Sequence, residues 1–160
     1  MILRTTAIIG LFLLSLSFNS CTEEKVVSDD YLVFGSFYGM CAGEQCVELF
    51  KITEDELLED VRDEYPQTAE IYVGQYHTQL SNTLFEAVKD LRNDFPEGLF
   101  DETESTFGCP DCYDQGGYYI EYRKGELHQR WIIDHNLDDV PAYMHDFCEK
   151  VSDKIALING

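Results

Sequence analysis

The sequence predicts one α+β domain: an antiparallel sheet of about four to six strands with two helices packed on one face, in the chain order β-β-(β)-α-β-β-α. Three stretches carry this expectation. Tyr118 to His135 alternates apolar and polar residues on either side of Lys124-Gly125, the pattern of a hairpin with one buried and one wet face. Leu84, Phe85, Val88, Leu91 and Phe95 recur at helical spacing and form one apolar stripe. Val140, Tyr143, Met144, Phe147, Val151, Ile155 and Ile158 form a second stripe near the C-terminus. Strands, helix, strands, helix is the order of a two-layer α+β fold.

In chain order, Tyr31 to Tyr38 is aromatic and β-branched and reads as a strand, interrupted by Gly35. Gly39 to Cys46 is a loop, and Val47 to Ile52 is the returning strand. Thr53 to Pro66 has two readings. Thr53 and Glu56 can form the capping box of a helix, or they can form a turn into a strand from Leu57 to Val61. The strand is preferred, because a helix ended by Tyr65-Pro66 would expose most of its length. Ile71 to Leu80 reads as extended. The first helix is capped by Ser81 or Thr83, with Glu86 at the capping-box position for Thr83, and ends at Phe95-Pro96. A turn at Lys124-Gly125 pairs Arg123 with Glu126, Tyr122 with Leu127, Glu121 with His128, Ile120 with Gln129 and Tyr118 with Trp131. The last helix starts at Asp138 or Asp139, with Pro141 in its first turn.

Charge narrows the function classes. Acidic residues number 31 against 11 Lys and Arg, for a formal charge of −20. Phosphate backbones need a basic face, so nucleic acid is not an expected partner. The acid is spread along the chain, as on a solvated surface.

The N-terminus bears on location. Arg4 precedes an apolar run from Ala7 to Phe18, followed by Asn19-Ser20-Cys21. This is the layout of an export signal. The run is shorter than the roughly 20 residues a membrane-spanning helix needs. With Leu14, Leu16 and Ser20 ahead of Cys21, the segment resembles the lipobox of bacterial lipoproteins, although Phe18 and Asn19 depart from the aliphatic-then-small pattern. The resemblance implies removal of residues 1–20, palmitate-type lipidation of Cys21, and anchorage to the outer membrane of the cell envelope. Thr22-Glu23-Glu24-Lys25 resembles the surface-export signal of Bacteroidota lipoproteins and implies a surface-exposed protein. An ordinary secretory peptide cut nearby is the other reading. Residues 21–30 then serve as lipidated cysteine and polar tether, and residues 31–160 as the domain. Phe34-Gly-Ser-Phe-Tyr-Gly39, Cys46 to Thr53, and Phe107-Gly-Cys-Pro-Asp-Cys112 with Asp114-Gln-Gly-Gly117 also resemble a group of small exported lipoproteins. That resemblance implies location and architecture and brings no activity with it.

Cys41, Cys46, Cys109 and Cys112 are the candidate disulfide or metal residues. The simplest bridges are Cys41–Cys46 and Cys109–Cys112, and crossed bridges between the pairs are equally compatible with the spacing. Four thiolates around zinc are a further reading, for which Cys109-Pro-Asp-Cys112 has suitable spacing and Cys41-x4-Cys46 does not. A Cys-x-x-Cys redox centre is another, but such centres sit at a helix N-terminus, and here a strand follows. Cys148, beside Phe147 on the last helix, reads as a buried small hydrophobe. Asp134-x-Asn136-x-Asp138 copies the start of a calcium loop, yet Asp139 stands where Gly is required and His145 where Glu is required, so it reads as a helix cap. His77, His128, His135 and His145 accompany no nucleophile motif. Tyr113, Tyr118, Tyr119 and Tyr122 are candidates for contact with a sugar ring or a partner side chain, against a default of sheet packing.

The expectation is a lipid-anchored envelope protein with a non-enzymatic binding or scaffolding domain, a protein or glycan partner in the envelope, and no cofactor or catalytic residues. The alternative is a cysteine-based zinc or thiol-redox module.

Overall fold

A strand buried on both faces needs apolar residues without alternation, and Leu32-Val-Phe-Gly-Ser-Phe37 supplies them. This strand, β1 (Tyr31–Phe37), lies at the middle of the sheet. The structure is a computed structural model that describes residues 29–66 and 70–160. The expected signal segment and Cys21 lie outside the described residues. The remaining strands are β2 (Val47–Ile52), β3 (Leu57–Asp60), β4 (Tyr76–Gln79), β5 (Thr106–Phe107), β6 (Gly117–Lys124) and β7 (Leu127–Asp134). Their order is β4-β3-β2-β1-β6-β7-β5. Every neighbouring pair is antiparallel except β5 and β7, which run parallel.

The α+β class is as expected. Seven strands replace the four to six anticipated. The parallel β5 has only two residues, too few to give a periodic signal, and β4 is four mostly exposed residues.

Both helical stripes cover the same face. The first is broken into α1 (Asn82–Val88) and α2 (Leu91–Asp94), and the second forms α3 (His145–Asn159). Under them lie Leu32, Phe34, Ile120, Trp131 and Ile133, all within 1% of full burial. Phe95 is the joint, with its ring 4.6 Å from Tyr122, 5.5 Å from Trp131 and 5.7 Å from Phe147. Burial of each such large apolar side chain stabilises by about 1.5–3 kcal/mol.

Four details of the sequence reading are corrected. The hairpin turns at Gly125-Glu126, with positive φ at Gly125, so Lys124 faces Leu127 and Ile120 faces Trp131. Glu121 is then opposite Arg130, and Arg123 opposite His128. The faces survive because the register moves by an even number of residues. Ser81 is the cap of α1, its Oγ accepting from the Leu84 amide at 3.3 Å, so Thr83 and Glu86 form no box. The last helix starts at His145, after two short 3-10 turns at Leu137–Asp139 and Ala142–Met144. Pro141 precedes the second of these, and Tyr143 is exposed.

The fourth correction concerns the second face, which is not wet. Val33, Phe37, Leu49, Tyr119 and Ile132 are buried there. Tyr65 and Tyr72 lie over them, with ring centroids 5.0 Å from Phe37 and 6.1 Å from Tyr119, and the Val61 amide donates to the Gln75 carbonyl at 3.1 Å to close the base of this cover. Tyr72 seals it, its amide donating to the Tyr119 hydroxyl at 2.9 Å and its own hydroxyl to Asp60 at 2.7 Å. Leu57 to Asp60 is a strand, as preferred from sequence, and Thr53 caps the turn before it, its Oγ1 accepting from the Glu56 amide at 3.1 Å.

At Gly35 the neighbouring strand β2 leaves no room for a side chain. A Cβ there would lie 1.9 Å from the Glu48 carbonyl oxygen and 2.8 Å from the Leu49 Cα. Backbone cannot yield as a side-chain tip can, so Gly35→Ala is expected to cost about 3 kcal/mol or more. A urea midpoint that stays at the wild-type value would contradict this packing.

Candidate functional site

The pairing of β1 fixes what gathers at one end of the sheet. Phe37 faces Val47 on one side and Gly117 on the other. The loop leaving β1 and the loop entering β6 therefore emerge side by side. Each is closed by a local disulfide, Cys41–Cys46 and Cys109–Cys112, with Cα atoms 5.5 Å apart in both. The crossed pairing is not formed. Bridged sulfurs offer no thiolate to a metal. Among the described residues no group of three or more His, Cys, Asp and Glu is placed to hold one.

Two aspartates build the second loop. Asp111 stands at φ 61, a conformation short polar side chains tolerate. Its Oδ1 accepts from the Gly116 amide at 3.1 Å, closing its own loop. Its Oδ2 accepts from the Gly39 amide at 2.9 Å and the Tyr65 hydroxyl at 3.3 Å, tying in the other two segments. A Cβ on residue 39 would sit 2.0 Å from that oxygen, so Gly39 is needed for the contact.

Asp134, at the end of β7, is only 4% exposed. Its carboxylate accepts from the Cys109 amide at 2.8 Å, the Asn136 amide at 2.8 Å and Gln115 Nε2 at 3.0 Å. Burial pushes the Asp134 carboxyl up, but these hydrogen bonds outweigh it and hold it below the ordinary carboxylate value. Gln115 also donates to the Cys109 carbonyl at 2.8 Å, and its side-chain oxygen accepts from the Tyr113 amide at 2.7 Å.

His135 completes the cluster. Its Nδ1 donates to the Gln115 carbonyl at 2.7 Å, and its ring lies edge-on to Tyr118 at 4.2 Å. Nε2 is buried without a hydrogen-bond partner. Burial holds the imidazole below its ordinary value.

On this frame stand exposed apolar side chains. Tyr113 is 89% exposed and Met40 80%, with Tyr38 and Tyr65 more than a third exposed. Cys109 and Cys112 are exposed as well. Asp134 and Asp111 hydrogen-bond within the same loop, and such negative charge penalises a thiolate. The arrangement is chemically suited to contact, not to nucleophilic attack.

The other sequence candidates fall elsewhere. Tyr118, Tyr119 and Tyr122 are buried, leaving Tyr113 as the outward one of the four. Cys148 is 1% exposed, its thiol pushed up to about 12 by burial and then by Glu149. The calcium-like run is a cap, Asn136 Oδ1 accepting from the Asp138 amide at 3.2 Å. His145 Nε2 donates to the Val140 carbonyl at 2.8 Å, so His135 and His145 bond to different carbonyls.

Sequence reasoning missed the polar centre of the second face. Glu121, 3% exposed, accepts from the Tyr31 hydroxyl at 2.7 Å and the Tyr119 hydroxyl at 2.7 Å, and lies 2.9 Å from His128 Nε2. Burial, and then the Glu121 carboxylate, raise the Tyr31 hydroxyl above the ordinary tyrosine range. The signal available was Glu121 as the one acidic residue in the aromatic run from Tyr118 to Tyr122. The Glu121–His128 contact holds although the two are diagonal neighbours.

No protein-family model, curated protein or solved structure matches the chain. Among the described residues no helix is long and apolar enough to cross a membrane.

The pH dependence of stability follows from His135 and Asp134, both with folded values below their ordinary ones of 6.5 and 3.8. For each, the contribution is complete above the ordinary value and is lost as pH falls toward the folded one. Wild-type stability should therefore decline from about pH 6.5 downward, and His135→Phe should remove that first decline. Chemical denaturation at pH 7.5 and pH 5 reads it, and equal slopes for both proteins would refute the assignment.

Proposed function

We propose that the chain is a lipid-anchored protein of the cell envelope whose domain binds a partner without catalysing a reaction. The surface for this is the sheet end made by residues 38–46, Tyr65 and residues 108–116. What carries the reading is the exposure of Tyr113 and Met40 on loops that Asp111 and the two local bridges hold in place. A side chain ordered in advance loses little freedom on binding, and tyrosine offers a large rigid area for it. Loop disulfides fit an oxidising envelope compartment. The short apolar run ending at Ser20-Cys21 supports a lipid anchor at Cys21, and Thr22-Glu23-Glu24-Lys25 supports display at the outer surface. The competing zinc or thiol-redox reading is weakened by the two local bridges and by the carboxylates within the Cys109 loop.

The test is made in cells. Cys21→Ala should abolish fatty-acid labelling and release the protein from the membrane pellet. A photo-crosslinking residue in place of Tyr113 should give a discrete adduct, and one in place of Glu97, beside Lys124 at the opposite end of β6, should give none. Retained labelling would overturn the anchor. Adducts from both positions, or from neither, would overturn the binding surface.

A further inference from the structure

Independently of that reading, we propose that the opposite end of the sheet holds a second binding site, a pocket built on Arg92 for a small monocarboxylic acid with an apolar body. The pairing of β1 sets Leu32 between Ile52 and Tyr122, at the end away from the disulfide loops. There the turn after β2, the joint between α1 and α2, and Tyr122 of β6 line a hollow of about 270 Å³. Thr53, Phe85, Arg92 and Asn93 contribute to it. This volume lies just below that of drug-sized ligand sites and suits a smaller molecule.

What selects an anion is the state of Arg92. Asp90, Asp94 and Glu97 flank it in sequence, and each takes a lysine from elsewhere: Lys154, Lys150 and Lys124. Lys89, which also lines the hollow, is paired with Glu86, so its charge is not counted. Among the described residues Arg92 forms no ion pair, in a chain where 31 acidic residues face 11 bases. Its Nη1 donates to the Thr53 carbonyl at 2.7 Å. Nε is buried without an acceptor, and Nη2 has none among the described residues. A guanidinium presents a planar fork that matches a carboxylate, and the Thr53 carbonyl orients this one before any ligand arrives.

Two further features narrow the ligand. Phe85 and Tyr122, both packed into the core, give the hollow aromatic walls that take up an apolar body. The formal charge of −20 repels anions, and most strongly those with several charges. Glu54, exposed in the same lining and with an interaction of its own, acts in the same direction. A single carboxylate on a flat apolar body meets all of these conditions.

The experiment uses the full-length chain in a neutral detergent, with arginine Nε–H and backbone amide resonances followed during titration with benzoate. Benzamide, its uncharged counterpart, and inorganic phosphate are the other probes. Benzoate should move the Arg92 Nε–H and the Asn93 amide along a saturating curve and bind about tenfold tighter than either alternative. The Gly116 amide, at the far end of the sheet, should stay in place. Arg92→Lys keeps the charge and a donor for the Thr53 carbonyl but lacks the fork, and should weaken benzoate about tenfold. Lys89→Gln removes an exposed cation already paired with Glu86, and should leave binding within about twofold. The inference is overturned by any of four results: no saturable shift at Arg92, equal affinity for benzamide, tighter binding of phosphate, or equal weakening by the two variants. The Tyr113 adduct reports on the other end of the sheet, so the two proposals fail separately.

Discussion

The carboxylate of Asp134, buried where β7 ends, accepts three hydrogen bonds, two from backbone amides and one from Gln115. Hydrogen bonds to a charged acceptor are worth about 1.5–3 kcal/mol each, so this single group fixes the start of the Cys109 loop, the side chain spanning it and the exit toward α3. Asp111 does the same for the outer part of the loop and carries the constraint across to Gly39 and Tyr65. Three segments far apart in sequence are thereby set in one arrangement, and the exposed tyrosines take their positions from it.

The disulfides play a different part. Cys109–Cys112 spans only three residues in sequence. A bridge of that length acts mainly by limiting the unfolded chain, by about 2 kcal/mol on the chain-entropy estimate. It adds stability without having to define the loop, because hydrogen bonds accepted by Asp111 and Asp134 and donated by Gln115 already define it. This division separates the site from a reactive thiol pair. Redox centres lower the thiol value with a helix N-terminus or a cation, and here carboxylates bond within the loop. The buried His135 is positioned by the Gln115 carbonyl and by Tyr118, as part of the same packing.

Legibility in the sequence followed the strength of periodicity. The two helical stripes and the hairpin were readable because each repeats an apolar residue at a fixed interval over several turns or pairs, and the central strand because it is a run of aromatic and β-branched residues. The exact hairpin register was not, since Lys124-Gly125 and Gly125-Glu126 are both two-residue turns with glycine and differ only in where positive φ falls. The covered second face was hidden for another reason. Tyr72 and Tyr65 reach it from an irregular segment with no period, and Glu121 looked like a solvent residue until the strands on either side were known. At the sheet end, the Cys-Pro-Asp-Cys stretch marked the place. The tie from Asp111 to Gly39 is a contact across 72 residues that no local pattern encodes.

Amide hydrogen exchange at Cys109, Gly116 and Gly39 tests most directly whether carboxylates, and not the bridge, set this end of the molecule. In Cys109→Ser with Cys112→Ser, protection at all three should fall only as far as global stability does, about 2 kcal/mol. In Asp134→Asn, the Cys109 amide should lose protection well beyond any change in global stability, while Gly39, held by Asp111, should keep its own. Selective loss at the three amides in the cysteine variant, with Asp134→Asn indistinguishable from wild type, would contradict the account.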